Sequence, residues 1–294
     1  MSRNILLTCL AAAAILGMGL LAFLHSADLA LLNPAGIIGA HEKSVMILTV
    51  LLSGLIVIPV FLMLFSFAWK YRASDPEAIL HHAPEWDHDS WWTDEFVWWV
   101  VPAVIVFLLS IVAWQSSHTL DPYQAIPSAE APITVQVVAL DWKWLFIYPE
   151  QGIATVNTLV IPANVPVHFE ITADAPMNSF WVPKLGGQIM AMQGMTNHLN
   201  LEADAGTYPG QSANISGKGF AGMTFTVQAV SKEHFAAWAA EAKAAAPLSP
   251  ETYAALAKPS SYVPPLYYSL PDSGLYTSII MKYMMPPMDM SHMP

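Results

Sequence analysis

The chain has 294 residues, of which 55% are hydrophobic and only 11% charged; a wholly soluble protein would have trouble covering its surface with so few charges, so part of it is expected to face lipid. That length holds either one large domain or a membrane anchor plus a domain of about 100–150 residues, and the composition favours the second. A formal charge of −11, with 11 basic residues spread along the chain, leaves no cationic patch for nucleic acid or anionic membrane surfaces, and a single cysteine, Cys9, excludes an internal disulfide and any two-thiolate metal site built from this chain alone.

The first apolar stretch runs from Ile5 to Leu24 behind Arg3, the charge pattern of a signal or signal-anchor segment, here residues 1–27. Cleavage and retention as a third helix both stay open: no small-x-small site follows Leu24, and about 20 residues suffice to span. Cys9 reads as lipid-facing or discarded. A transmembrane hairpin is expected over 44–114, with helices at about 44–69 and 96–114 and a loop at 70–95. Both stretches, Ser44 to Trp69 and Phe96 to Trp114, lack charge and are long enough for an apolar layer of about 30 Å. Trp69, Tyr71, Trp91, Trp92, Trp98, Trp99 and Trp114 stand where amphipathic rings prefer the headgroup level. Lys70 and Arg72 mark the loop as cytoplasmic, because no basic residue follows the second helix until Lys143, and this places everything after Trp114 outside.

From Ala131 short β-rich runs separated by Pro and Gly predict a sandwich or barrel over 131–230: 133–138, 145–148, 158–161, 167–172, 198–201 and 223–230. Pro162 to Pro166 and Gly206 to Gly210 read as its turns. Residues 231–294 read as a helical extension, Lys232 to Ala246 with Phe235 and Trp238 on one face, followed by a Pro-, Tyr- and Met-rich tail that wraps a neighbour or lies loose.

Two membrane helices before an exported β-domain, together with Trp69-Lys70-Tyr71-Arg72, Asp141-Trp142-Lys143-Trp144 and Tyr148-Pro149-Glu150-Gln151-Gly152, resemble subunit II of haem-copper respiratory oxidases over about residues 28 to 258. The resemblance implies a membrane-anchored all-β fold with a cupredoxin-like sandwich. In cytochrome c oxidases this subunit holds a dinuclear copper centre through a His-Ser-Phe-Trp segment, a Cys-x-x-x-Cys loop, a further His and a Met. Laid against that pattern, Asn178 stands at the first histidine, Ser212 and Ser216 at the thiolates with Asn214 between them, and Phe220 at the second histidine; only Met223 keeps its identity. A lone thioether cannot hold a centre built on thiolates and imidazoles. The frame without its ligands resembles the ubiquinol oxidases of cytochrome bo type.

That resemblance implies a non-catalytic chain with no cofactor of its own in a bacterial inner membrane, its C-terminal domain periplasmic. Its partners would be the catalytic subunit I, which would carry the haems and copper and oxidise quinol while oxygen is reduced and protons are translocated, and further membrane subunits. Cytochrome c would not be a partner. It also implies that Glu95 sits beside the mouth of a proton channel in the catalytic subunit; the plainer alternative is an acid favoured at a helix start.

Other candidates are weaker. His81, His82 and His88 with Glu85 and Asp87 match no compact metal spacing and read as a solvated loop. Met284, Met285, Met288, Met290, His292 and Met293 can hold Cu(I) loosely, but disorder is the simpler reading. Met177, Met190, Met192 and Met195 read as space-filling, and Trp142 and Trp144 as packing against the catalytic subunit. Three rivals remain: a cytochrome c oxidase subunit with an aberrant copper site, an anchored copper-delivery cupredoxin, and an interaction module outside any oxidase. The second would have only Met223 and the isolated His168 and His198 to work with.

Overall fold

A computed structural model describes residues 29–70, 91–270 and 274–284, with residues 91–95 and 97 described by their backbone. The Ile5 to Leu24 stretch, the histidine-bearing loop and the tail beyond Met284 lie outside the described residues. The described chain forms two compact units, one of residues 41–121, which holds most of the two long helices, and one of the rest.

Helix α1 spans Ile37–Lys70 and α2 spans Trp91–Thr119. Both are long and apolar enough to cross a membrane, and both start before the expected limits of 44 and 96, because the polar residues flanking each apolar run still continue the helical turn. In α2 the polar side chains near the C-terminal end are satisfied by the helix itself: Ser110, Ser117 and Thr119 donate to the carbonyls of Val106, Ala113 and Gln115 at 2.8, 2.7 and 2.7 Å. A hydroxyl bonded in this way costs little in a medium that offers no water. Phe61, Phe65, Phe96, Phe107 and Trp99 are exposed along the two helices, as surfaces meant for lipid or another subunit are.

The second unit is a sandwich of two sheets. One has the order β11-β3-β2-β1-β5-β8 and the other β4-β10-β9-β6-β7. Its strands are β1 Ile133–Leu140, β2 Lys143–Tyr148, β3 Ile153–Val156, β4 Thr158–Pro162, β5 Val167–Ala173, β6 Asn178–Trp181, β7 Ile189–Ala191, β8 Asn197–Leu201, β9 Gly206–Ser212, β10 Thr224–Val230 and β11 Leu266–Ser269. β1 lies parallel to β5, and β10 lies parallel to β4. The turn at 163–165 is confirmed, with Asn164 at φ 56°. Gly206 to Gly210, expected as a turn, is instead the start of β9, paired along β10 with Pro209 opposite Thr226. β9 meets β6 only at Gln211 and Ser212, so Pro209 has a strand on one side alone, where a missing N–H is tolerated.

Alternate residues of the two sheets meet in one core that includes Val135, Val137, Trp144, Phe146, Phe169, Phe180, Phe225 and Val227. The opposite face of the six-stranded sheet is also covered: Val138, Leu140, Leu145, Ile147, Ala154 and Val156 pack against Leu248, Tyr276 and Ile279. Burial on both faces explains why Lys143 to Tyr148 is apolar almost without interruption rather than alternating.

The cover is the C-terminal extension. Helix α3 (Lys232–Ala242) is capped by Ser231, whose Oγ accepts from the His234 N–H at 3.3 Å. It ends before the expected Ala246, because the carbonyls of Ala245 and Ala246 bond to Ser269 and Pro247 disfavours a helical residue before it. α4 (Pro250–Leu256) follows with Ser249 as cap and Pro250 in its first turn. β11 then pairs with β3, and α5 (Leu275–Met284) closes the described chain. The tail expected to lie loose or wrap a neighbour therefore packs on its own domain as far as Met284.

Candidate functional site

Asn178, Ser212, Asn214, Ser216, Phe220 and Met223 come from two places: the start of β6, and the loop that joins β9 to β10. The β6–β9 pairing sets Phe180 against Ser212, which carries the loop back over the β6 end. The Ala213 N–H donates to the Ser179 carbonyl at 3.0 Å and the Ser212 N–H to the Met223 carbonyl at 3.2 Å, so both ends of the loop are fixed. A 3-10 turn at Phe220–Gly222 delivers Met223 into the core, where it is 1% exposed.

Asn178, Ser212 and Asn214 are bonded within this corner, to one another or to nearby carbonyls, whereas the buried Ser216 hydroxyl finds no partner among the described residues. Asn178 donates to the Pro176 carbonyl at 2.7 Å and its Oδ1 accepts from Ser212 Oγ at 3.1 Å. Ser212 Oγ also lies 3.3 Å from the Asn214 carbonyl, and the Asn214 amide donates to the Met177 carbonyl at 2.8 Å. Trp142, held at φ 63°, lies over Gly217 and donates its indole N–H to the Ser216 carbonyl at 3.3 Å. A side chain at Gly217 would press the ring, and Gly217 itself sits at φ 121°, so glycine is needed there twice over.

This donor set does not fit a dinuclear copper centre. It offers amides, hydroxyls, a phenyl ring and one thioether, where such a centre needs thiolate bridges and imidazoles, and the sole cysteine of the chain is Cys9. Substituting Asn178→Ala is expected to cost about 1–2 kcal/mol, because it strips the Pro176 carbonyl and Ser212 of a buried partner. Thermal unfolding of the full chain in detergent measures it.

Trp144, expected against a partner subunit, is fully buried in its own domain, edge-on to Phe180 at 5.4 Å and Phe225 at 5.9 Å. Met177 and Met195, expected to fill space, are about half exposed. The side chain of Glu95 lies outside the described residues; its backbone is in the first turns of α2. His168 and His198, expected as isolated, are brought together: β5 and β8 set Glu170 opposite His198, and the two rings stack at 5.1 Å. Sequence reasoning missed the trio His168, Glu170 and His198. The alternation His-x-Glu in 167–172 was its only signal, and the second strand could not be assigned as its partner without the topology.

The comparisons agree with the architecture. A family model described as cytochrome C oxidase subunit II, periplasmic domain, matches residues 150–230, and one described as the COX aromatic rich motif matches residues 243–287, a range that includes Leu248, Tyr276 and Ile279 on the outer sheet face. Cytochrome bo(3) ubiquinol oxidase subunit 2 of Pseudomonas aeruginosa is 48% identical over 262 residues, covering 88% of this chain and 78% of that one. Ubiquinol oxidase subunit 2 of Acetobacter aceti is 43% identical over 265 residues, covering 88% and 84%. Quinol oxidase subunit 2 of Bacillus cereus is 39% identical over 251 residues, covering 84% and 85%. Among solved structures, the periplasmic domain of subunit II of cytochrome oxidase of Bradyrhizobium japonicum is 25% identical, spans 40% of this chain and 96% of its own, and superposes with a TM-score of 0.38. With two helices able to span a membrane, a β-sandwich of the subunit II type and relatives aligned over most of both chains, the protein belongs to the family of ubiquinol oxidase subunit 2.

Proposed function

We propose that this chain is the non-catalytic second subunit of a terminal quinol oxidase in a bacterial inner membrane, with its sandwich on the periplasmic side. The observation that carries the reading is the corner at Asn178, Ser212 and Met223, a subunit II frame in which an amide and a hydroxyl bond to each other beside one buried thioether, a set without thiolate or imidazole. In this proposal the haems and copper belong to the catalytic subunit I, quinol is oxidised there, and no cytochrome c docks on the sandwich. The exposed apolar faces of α1 and α2 support a bracing role against that subunit. Asn178, Ser212, Asn214, Ser216, Phe220 and Met223 are then the positions from which a copper centre has been lost.

Glu95 is proposed as a carboxylate beside the proton entry of the catalytic subunit; its place in the first turns of α2 and its helix-start alternative are both compatible with the sequence. The test is purification of the tagged full chain from membranes. A haem-bearing partner and quinol-dependent oxygen uptake are expected in the preparation, with turnover slowed several-fold by Glu95→Gln and no turnover by the chain alone. A haem-free preparation holding stoichiometric copper on this chain would reject the reading in favour of copper delivery. Unchanged turnover in Glu95→Gln would reject the proton role and leave the helix-start one.

A further inference from the structure

We infer that His168, Glu170 and His198 form a binding site for a borderline divalent cation of the Zn2+ class, on the outer face of the six-stranded sheet and apart from the Asn178 corner. One ligand atom from each lies within 4.8 Å of the others, and all three side chains are partly exposed. β8 is the edge strand of its sheet, so a cation reaches the group from solvent and a water completes its shell.

The two imidazoles already stand at the spacing a metal demands. His198 Nδ1 and His168 Nε2 are 3.2 Å apart; two nitrogens bound to Zn2+ at about 2.0–2.1 Å in a tetrahedron are separated by roughly 3.3 Å. Glu170 is placed directly across the ladder from His198 and two residues along β5 from His168, on the same face. Two imidazoles and a carboxylate suit zinc and its neighbours in the first transition row, whereas magnesium and calcium prefer oxygen alone.

The supporting shell is what separates this group from a chance meeting of side chains. The Asn200 amide donates to the Pro122 carbonyl at 3.0 Å, which turns its oxygen toward His168 Nδ1 at 2.9 Å. His168 therefore carries its hydrogen on Nδ1 and aims the lone pair of Nε2 into the site. Gln136 donates to Glu170 Oε2 at 2.9 Å and steadies the carboxylate. In the metal-free protein His198 fills the gap by donating Nδ1–H to His168 Nε2. When the cation enters, that hydrogen moves to His198 Nε2 and both inward nitrogens become donors to the metal. Oriented outer partners of this kind accompany ligating histidines, and their removal costs about 10–100-fold in affinity.

The test titrates ZnCl2 into the metal-free full chain in detergent, followed by calorimetry and by the thermal unfolding midpoint. One saturable equivalent is expected, with a midpoint that rises on addition of Zn2+. His198→Gln should abolish both effects, and Asn200→Ala should weaken binding by about tenfold or more. X-ray absorption at one equivalent should show two imidazoles and oxygen ligands. Glu170→Gln, at a partly exposed position, carries the test should the histidine variant fold poorly. Binding that survives undiminished in both His198→Gln and Glu170→Gln would place the metal on other histidines of the chain and overturn the inference, as would a wild-type titration without a saturable site.

Discussion

Phe180→Ala is expected to lower the unfolding free energy of the sandwich by about 3–5 kcal/mol. Phe180 is fully buried and is the ring through which the two sheets interlock. It stacks on Phe225 at 5.2 Å and 10°, both from the five-stranded sheet. Across the core it meets Trp144 at 5.4 Å, Phe169 at 5.5 Å and Phe146 at 6.3 Å from the facing sheet. Removing it forfeits the transfer of a benzyl group and leaves a hole that four rigid rings cannot close. Thermal or denaturant unfolding of the full chain, read by tryptophan fluorescence, measures the loss. A cost below about 1 kcal/mol would mean that the core collapses onto the gap and that the rings are not a rigid unit.

Asp174→Ala is expected to cost about 2–4 kcal/mol and to release α5 from the sandwich. The carboxylate at the end of β5 is almost wholly buried and accepts from Tyr253, Lys282 and Tyr283, each at 2.6 Å. One acid thus ties α4 and α5 to the sheet. The Lys282 ammonium is largely exposed, which limits its share; the two phenols and the loss of a buried acceptor supply the rest. Burial by itself would raise the Asp174 carboxyl, but the hydrogen bonds from Lys282, Tyr253 and Tyr283, with the charge of Lys282, outweigh it and hold it below the usual range.

A folded pKa below the unfolded one means that the unfolded chain binds protons more readily as pH falls. The contribution is therefore complete above the unfolded value of about 3.9 and is lost as pH drops through the lower, folded value. Wild type should lose more stability than Asp174→Ala between neutral pH and about pH 3, and limited proteolysis should cut the C-terminal segment first in the variant. Parallel pH curves for the two proteins would show that the clamp does not depend on the charge of Asp174.

The helices and most strands were legible because their apolar runs are long or β-branched. The elements that escaped did so for identifiable reasons. β9 carries Gly206, Pro209 and Gly210, turn formers by composition that become a strand because β10 supplies a partner along 206–211. β6 is four residues long, and its Asn-Ser-Phe-Trp reads more readily as a motif than as a strand. The C-terminal tyrosines looked like a loose tail because a Tyr-rich segment has no periodicity of its own; Tyr253 and Tyr283 are fixed by a carboxylate that lies more than seventy residues away in sequence. The Asn178 corner was legible by position, since it is assembled from a motif and a loop of fixed spacing. The His168 and His198 meeting was not, because it depends on β5 and β8 being neighbours.

The pairing of β11 with β3 fixes the order in which this domain can be completed. β3 is finished by residue 156 and its outer edge is taken only by residues 266–269. During synthesis, more than a hundred residues emerge while that edge has no strand beside it, and an unpaired edge invites pairing with any other chain. The acquisition of the native sheet therefore waits on β11, and a premature stop after α4 would leave a sandwich with an adhesive side.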